Sequence, residues 1–162
     1  CGVTPIGFGN AIFDVNGNKT EMYDRVKKAG KMISAVDEVL MCSKSEGLIL
    51  SGVMPQLKQG EARMTIPADD LIGDSYKELS SVVSNHALVG CFDYDGKTAL
   101  YVVNNAIADD TIEGFAAADT VKLNFSKNIN GYTIDSDGKK DFSGESLSVS
   151  LGAGEAVLVV LG

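Results

Sequence analysis

The sequence predicts a mainly β protein, an antiparallel β-sandwich (Ig-like or jelly-roll-like) with one N-terminal α-helix. Three observations lead there. The 162 residues include 18 glycines and 3 prolines, which punctuate many tight turns rather than a helical bundle. Only one stretch, from Asn18 to Leu40, repeats its apolar residues at helical spacing. Beyond residue 45 the apolar period shortens to two, in short runs separated by turn residues.

A chain of this length buries roughly 68–70% of its unfolded surface, so its core needs no disulfide or metal staple. The expected organisation is a turn segment and helix over residues 1–44, then a sandwich domain over 45–162. Asp14-Val15-Asn16-Gly17 reads as a turn. Asn18 and Glu21 have capping-box spacing, in which each side chain satisfies a free backbone amide. Met22, Val26, Ala29, Ile33, Val36 and Leu40 then form one apolar stripe, with Lys27, Lys28, Lys31, Asp37 and Glu38 mostly off it. Gly30 weakens the middle of that helix by about 1 kcal/mol relative to Ala, which packing of the stripe must offset.

Eight to ten short strands are expected after it. Residues 47–53 form an apolar run between glycines, and 61–66 alternate until Pro67 ends them. Residues 82–83, 87–92 and 98–103 follow, the last two flanking Asp95-Gly96, a hairpin signal. Residues 104–118 read as a long loop. Residues 121–125 and 147–151 alternate, as strands do with one face buried and one wet. Asp137-Gly138 sits between 131–134 and 139–142 as a second hairpin, and the fully apolar 156–161 is expected to be buried on both sides.

Charge and chemistry narrow the function classes. With 22 acidic against 14 basic residues the net charge is −8, a field that repels nucleic acid and anionic membranes. No apolar run reaches the roughly 18 residues of a membrane span. Cys1, Cys42 and Cys91 are far apart and odd in number, so they make no complete disulfide framework. Cys91, within an apolar strand, reads as a buried free thiol. Cys1 leads at once into residues 2–8, which look like the middle of a folded chain rather than a lipoprotein tether; lipid anchoring at the cell exterior applies only if Cys1 is the mature N-terminus.

The lone histidine, His86, lies at a strand edge and provides no nucleophile–base pair. No two carboxylates share the apolar setting of a glycosidase acid pair. Residues 135–141 carry acids at calcium-loop spacing, but Lys139 takes the third ligand's place and the glycine comes early, so a hairpin turn is the reading. No catalytic, cofactor-binding or metal-ligating residue is therefore assigned. Tyr94 and Tyr132, near turns, are the two residues a sugar ring could pack against, although the chain has no Trp.

Ala11-Ile12-Phe13-Asp14, Asn16-Gly17 and Thr20-Glu21-Met22-Tyr23-Asp24-Arg25-Val26-Lys27 resemble the closing segment and last helix of a bacterial glycoside hydrolase barrel. Leu88-Val89-Gly90-Cys91-Phe92 through Tyr101-Val102-Val103-Asn104-Asn105 is similar to a hairpin of the C-terminal β-domains of such enzymes, and residues 152–161 resemble their closing strand. Ala29-Gly30 and the length of 105–118 depart from that pattern. The resemblance implies a non-catalytic C-terminal accessory domain that packs against and supports a preceding catalytic domain of the same polypeptide. That domain would carry the acid pair. The competing readings are a carbohydrate-binding module, whose partner is carbohydrate, a cell-surface adhesin-like domain, and a small enzyme with clustered acids.

Overall fold

The computed structural model describes residues 12–52, 66–106 and 118–162. In chain order these form α1 (Glu21–Met41), β1 (Lys44–Gly52), a 3-10 turn (Ala68–Asp70), β2 (Leu79–Val83), β3 (His86–Tyr94), β4 (Lys97–Asn104), β5 (Ala118–Asp135), β6 (Gly138–Gly152) and β7 (Ala156–Leu161). The protein is mainly antiparallel β, with one α-helix ahead of the strands among the described residues. Cys1, residues 61–65 of the strand expected over 61–66, and most of the expected 104–118 loop lie outside the described residues.

Alternation and turn chemistry build the sheet locally. Asp95 and Gly96 both take positive φ, 50° and 77°, between the paired Tyr94 and Lys97. That is the two-residue turn whose twist matches the flanking strands, and the Asp93 carboxylate accepts from the Gly96 amide at 3.0 Å. In β5, Val121, Leu123 and Phe125 are buried while Lys122 is exposed, as their alternation predicts.

The layering differs from two separate sheets. All seven described strands join one sheet in the order β1-β3-β4-β7-β5-β2, with β6 on β5. The runs 121–125 and 131–134, expected as separate strands, are one 18-residue strand. Its first part pairs with β2, its second part with β7, and β6 follows it throughout with a register break between Asn124 and Ile129. Around that break Phe125 and Ile129 stay buried while Ser126, Lys127 and Asn128 are exposed. The sheet folds back on itself there and is barrel-like. On its far side Ser51 Oγ donates to the Val82 carbonyl at 3.0 Å, linking β1 to β2.

Strand β7 occupies the middle of the sheet, and five of its six apolar residues serve two cores. Val157, Val159 and Leu161 join Val89, Cys91, Leu100, Val102, Leu123 and Leu151 inside the fold. Leu158 and Val160 face the other way, onto Val36 and Val39 of α1. This is the burial on both sides that the unbroken apolar run predicts. Gly131 lets β7 approach: a Cβ there would lie 2.5 Å from the Val160 carbonyl oxygen.

The helix departs from expectation twice. Its N-cap is Thr20, which makes no side-chain cap bond. Asn18 instead donates its side-chain amide to Asp14 at 3.0 Å, because the 14–17 turn competes for it. The apolar stripe is also only half used. Val36 and Val39 are buried, with Met32 and Leu40 packed beside them, while Val26 and Ile33 are 47% and 65% exposed. The sheet takes one edge of the stripe and leaves the other open.

Two polar groups fasten the strand ends. Asn104, fully buried, donates its side-chain amide to the Leu151 carbonyl at 2.9 Å and accepts from the Ala106 amide at 3.0 Å. Its backbone also bonds Gly154 and Glu155, tying β4 to the turn between β6 and β7. Glu155 in turn pairs with Lys28 of α1. Asp119 accepts from Ser84 Oγ at 2.6 Å, the Asn85 amide at 2.8 Å and the His86 amide at 3.2 Å, closing the turn before β3. Partial burial pushes the Asp119 carboxyl up in pKa, and these bonds more than offset it, leaving it below the ordinary value of 3.8.

Replacing Asn104 by Ala leaves a buried amide and a buried carbonyl unpaired, and is expected to cost about 2–3 kcal/mol in urea unfolding. Because the Asp119 pKa is lowered in the folded chain, its stabilisation is complete above the unfolded value and is lost as pH falls through the folded one. Urea midpoints measured downward from about pH 5 should therefore decline less steeply in Asp119→Asn than in the native chain.

Candidate functional site

One end of the molecule gathers the tip of the β3–β4 hairpin, the stem of the β5–β6 hairpin and the C-terminus of α1. Each arrives for a local reason. The two-residue turn at Asp95-Gly96 holds Tyr94 and Lys97 directly across from each other. Residues 135–138 close the second hairpin, where Lys140 Nζ lies 3.1 Å from Asp135 and the Asp137 amide donates to Asp135 at 2.8 Å. The 135–141 segment is thus a hairpin turn, with a lysine paired to the acid that a calcium loop would use as ligand. The helix ends at Cys42, whose amide donates to the Glu38 carbonyl at 3.1 Å.

Between these elements lies a cleft of about 640 Å³ lined by Cys42, Tyr94, Asp95, Lys97, Tyr132 and Lys139. The fold brings together the two tyrosines singled out from the sequence, although they are 38 positions apart in the chain. Both pack at the rim of the core beneath α1. Burial raises the Tyr132 phenol pKa above its ordinary value, and Tyr94 and Glu38 push it further in the same direction. Lys139 Nζ sits 3.6 Å from the Tyr132 ring centroid, a cation–π contact. Among the described residues neither Lys97 nor Lys139 forms an ion pair with a carboxylate.

A second cleft, of about 560 Å³, adjoins the first through Lys97 and Tyr132, which line both, and continues along Gly131, Asp141, Phe142 and Ser143. Phe142 is held by stacking on Phe125, with centroids 6.0 Å apart. The arrangement supplies aromatic surface, ammonium donors and carboxylate acceptors side by side.

His86 lies at the opposite end of β3 from Tyr94, half-buried, its backbone amide on Asp119. The sequence does not mark Lys97, Lys139 or Cys42 as cleft residues. Lys97 was visible only as the residue after a turn, and nothing local signals that two hairpins and a helix end converge on it.

The two thiols among the described residues occupy opposite environments. Cys42 is exposed at the cleft, whereas Cys91 is fully buried and burial pushes its thiol pKa up to about 12. Iodoacetamide at neutral pH is expected to label Cys42 in the folded chain and Cys91 only after unfolding, as read by peptide mass mapping.

Comparison of the chain with protein-family models, with curated proteins and with solved structures gave no match.

Proposed function

We propose that this chain is a non-catalytic accessory domain of a bacterial carbohydrate-active hydrolase, docked through α1 against a preceding catalytic domain of the same polypeptide. The order of sequence segments supports the reading, and one observation carries it: α1 uses only one edge of its apolar stripe inside this fold. At 3.6 residues per turn, Val26 and Ile33 stand within roughly 20° of each other on the open edge, next to the residues that meet the sheet. Phe13 adds to this surface; it is 47% exposed and packs on Tyr23 with ring centroids 5.6 Å apart. A helix shared between two packing partners has this form, apolar over a wider arc than either partner covers.

In fold terms the reading takes the two halves of the folded-back sheet as the layers of a sandwich. Leu79, Val121 and Leu123 from one half meet Val89, Leu100 and Val159 from the other in a single core. Val36 and Val39 of α1 pack on Leu158 and Val160, so the C-terminal end of the helix and the sheet would move as one support.

The coding sequence upstream of residue 1 is expected to specify a long region of alternating β and α pattern; its absence overturns the reading. Within that longer protein, Val26→Asp with Ile33→Asp should expose the junction to limited proteolysis and lower the melting temperature. In the chain alone the same pair sits on the surface and should change stability by no more than about 0.5 kcal/mol per site. Equal behaviour of native and doubly substituted longer protein would count against docking through this face.

A further inference from the structure

We propose that the two clefts flanking Tyr132 form one groove that binds a neutral pyranose glycan of two or more sugar units. Lys97 and Tyr132 line both clefts, so a single extended ligand can run from one into the other. Their volumes, about 640 and 560 Å³, each fall within the roughly 300–1,000 Å³ typical of small-ligand sites.

The lining matches the surface of a sugar, which presents apolar C–H faces ringed by hydroxyls that both donate and accept. Tyr94 and Tyr132 provide aromatic surface along the groove, on the face of the sheet that also meets α1. Lys139 is held over the Tyr132 ring and has no carboxylate partner among the described residues, so its N–H groups can donate to hydroxyl oxygens. Lys97 is likewise without an ion pair among the described residues, and Asp95 and Asp141 accept from hydroxyls.

Charge selects among glycans. Two lysines and two aspartates cancel within the groove, and the whole chain carries −8. No net positive charge there compensates a uronic acid or sulfated polymer, and the long-range field repels one. A neutral glycan meets no such penalty. The groove inference is independent of the docking reading, since it needs no second domain and the two can fail separately.

The test is an NMR titration of the isotope-labelled chain with maltohexaose, cellohexaose and xylohexaose, and with hexagalacturonate as the anionic comparison. At least one neutral hexamer should give saturable shifts confined to Tyr94, Lys97, Gly131, Tyr132, Lys139, Phe142 and their neighbours. Tyr94→Ala and Lys139→Ala should each weaken that binding about tenfold, and Lys139→Ala, at an exposed position, should leave the melting temperature unchanged. Tyr132→Phe keeps the ring and the core contact, and should retain binding within about threefold. Absence of saturable shifts with all three neutral hexamers overturns the proposal. So do shifts centred elsewhere, and so does binding of hexagalacturonate alone.

Discussion

A strand that is apolar on every residue has to be covered twice, and β7 imposes that requirement on the whole fold. Its odd-numbered residues Val157, Val159 and Leu161 and its even-numbered Leu158 and Val160 point to opposite faces of the sheet. One face is covered by the sheet itself, which can reach it only because β5 and β6 bend between Asn124 and Ile129. The other is covered by α1. Remove either cover and about half of β7 is returned to water, at roughly 25 cal/mol for each Å² of apolar surface.

The two covers are unequal. The inner core draws on every strand and excludes water almost completely, whereas the outer one depends on a few residues at the C-terminal end of α1. Further toward its start, the helix is tied to the sheet by Lys28 and Glu155, an exposed pair, and exposed pairs contribute little. The helix is therefore firmly seated at one end only. Its end is also where Cys42 borders the cleft, so the outer cover and the proposed groove share a wall.

Much of this was legible in the sequence wherever the signal was local. The Asp95-Gly96 turn, the alternation of residues 121–125 and the two-sided burial of 156–161 each depend on neighbours within a few positions, and each appears as expected. What escaped depends on distant partners. Nothing between Ser126 and Asn130 distinguishes a bend within one strand from a loop between two, because the deciding fact is that β6 pairs along both halves. The apolar stripe of α1 was readable, but how much of its width the sheet would claim was not. Asn18 carries the right residue type and spacing for a cap, and Asp14 takes it instead. At the cleft, Tyr94 and Tyr132 were recognisable as ring surfaces beside turns, whereas their meeting required the register of two hairpins that only the complete sheet defines.

The placement of β7 has a further consequence for how the chain comes together. It is the last of the described strands yet sits between β4 and β5, so no ladder of paired strands joins the halves on either side until it arrives. During vectorial synthesis β1, β3 and β4 can pair as they emerge, and β5 can pair with β2 and β6, but no strand ladder yet joins the two halves and their apolar faces stay open. Closure waits until residue 161 has left the ribosome. Over that interval the exposed edges of β4 and β5 invite strands from other chains, a hazard set by strand order rather than by any single residue.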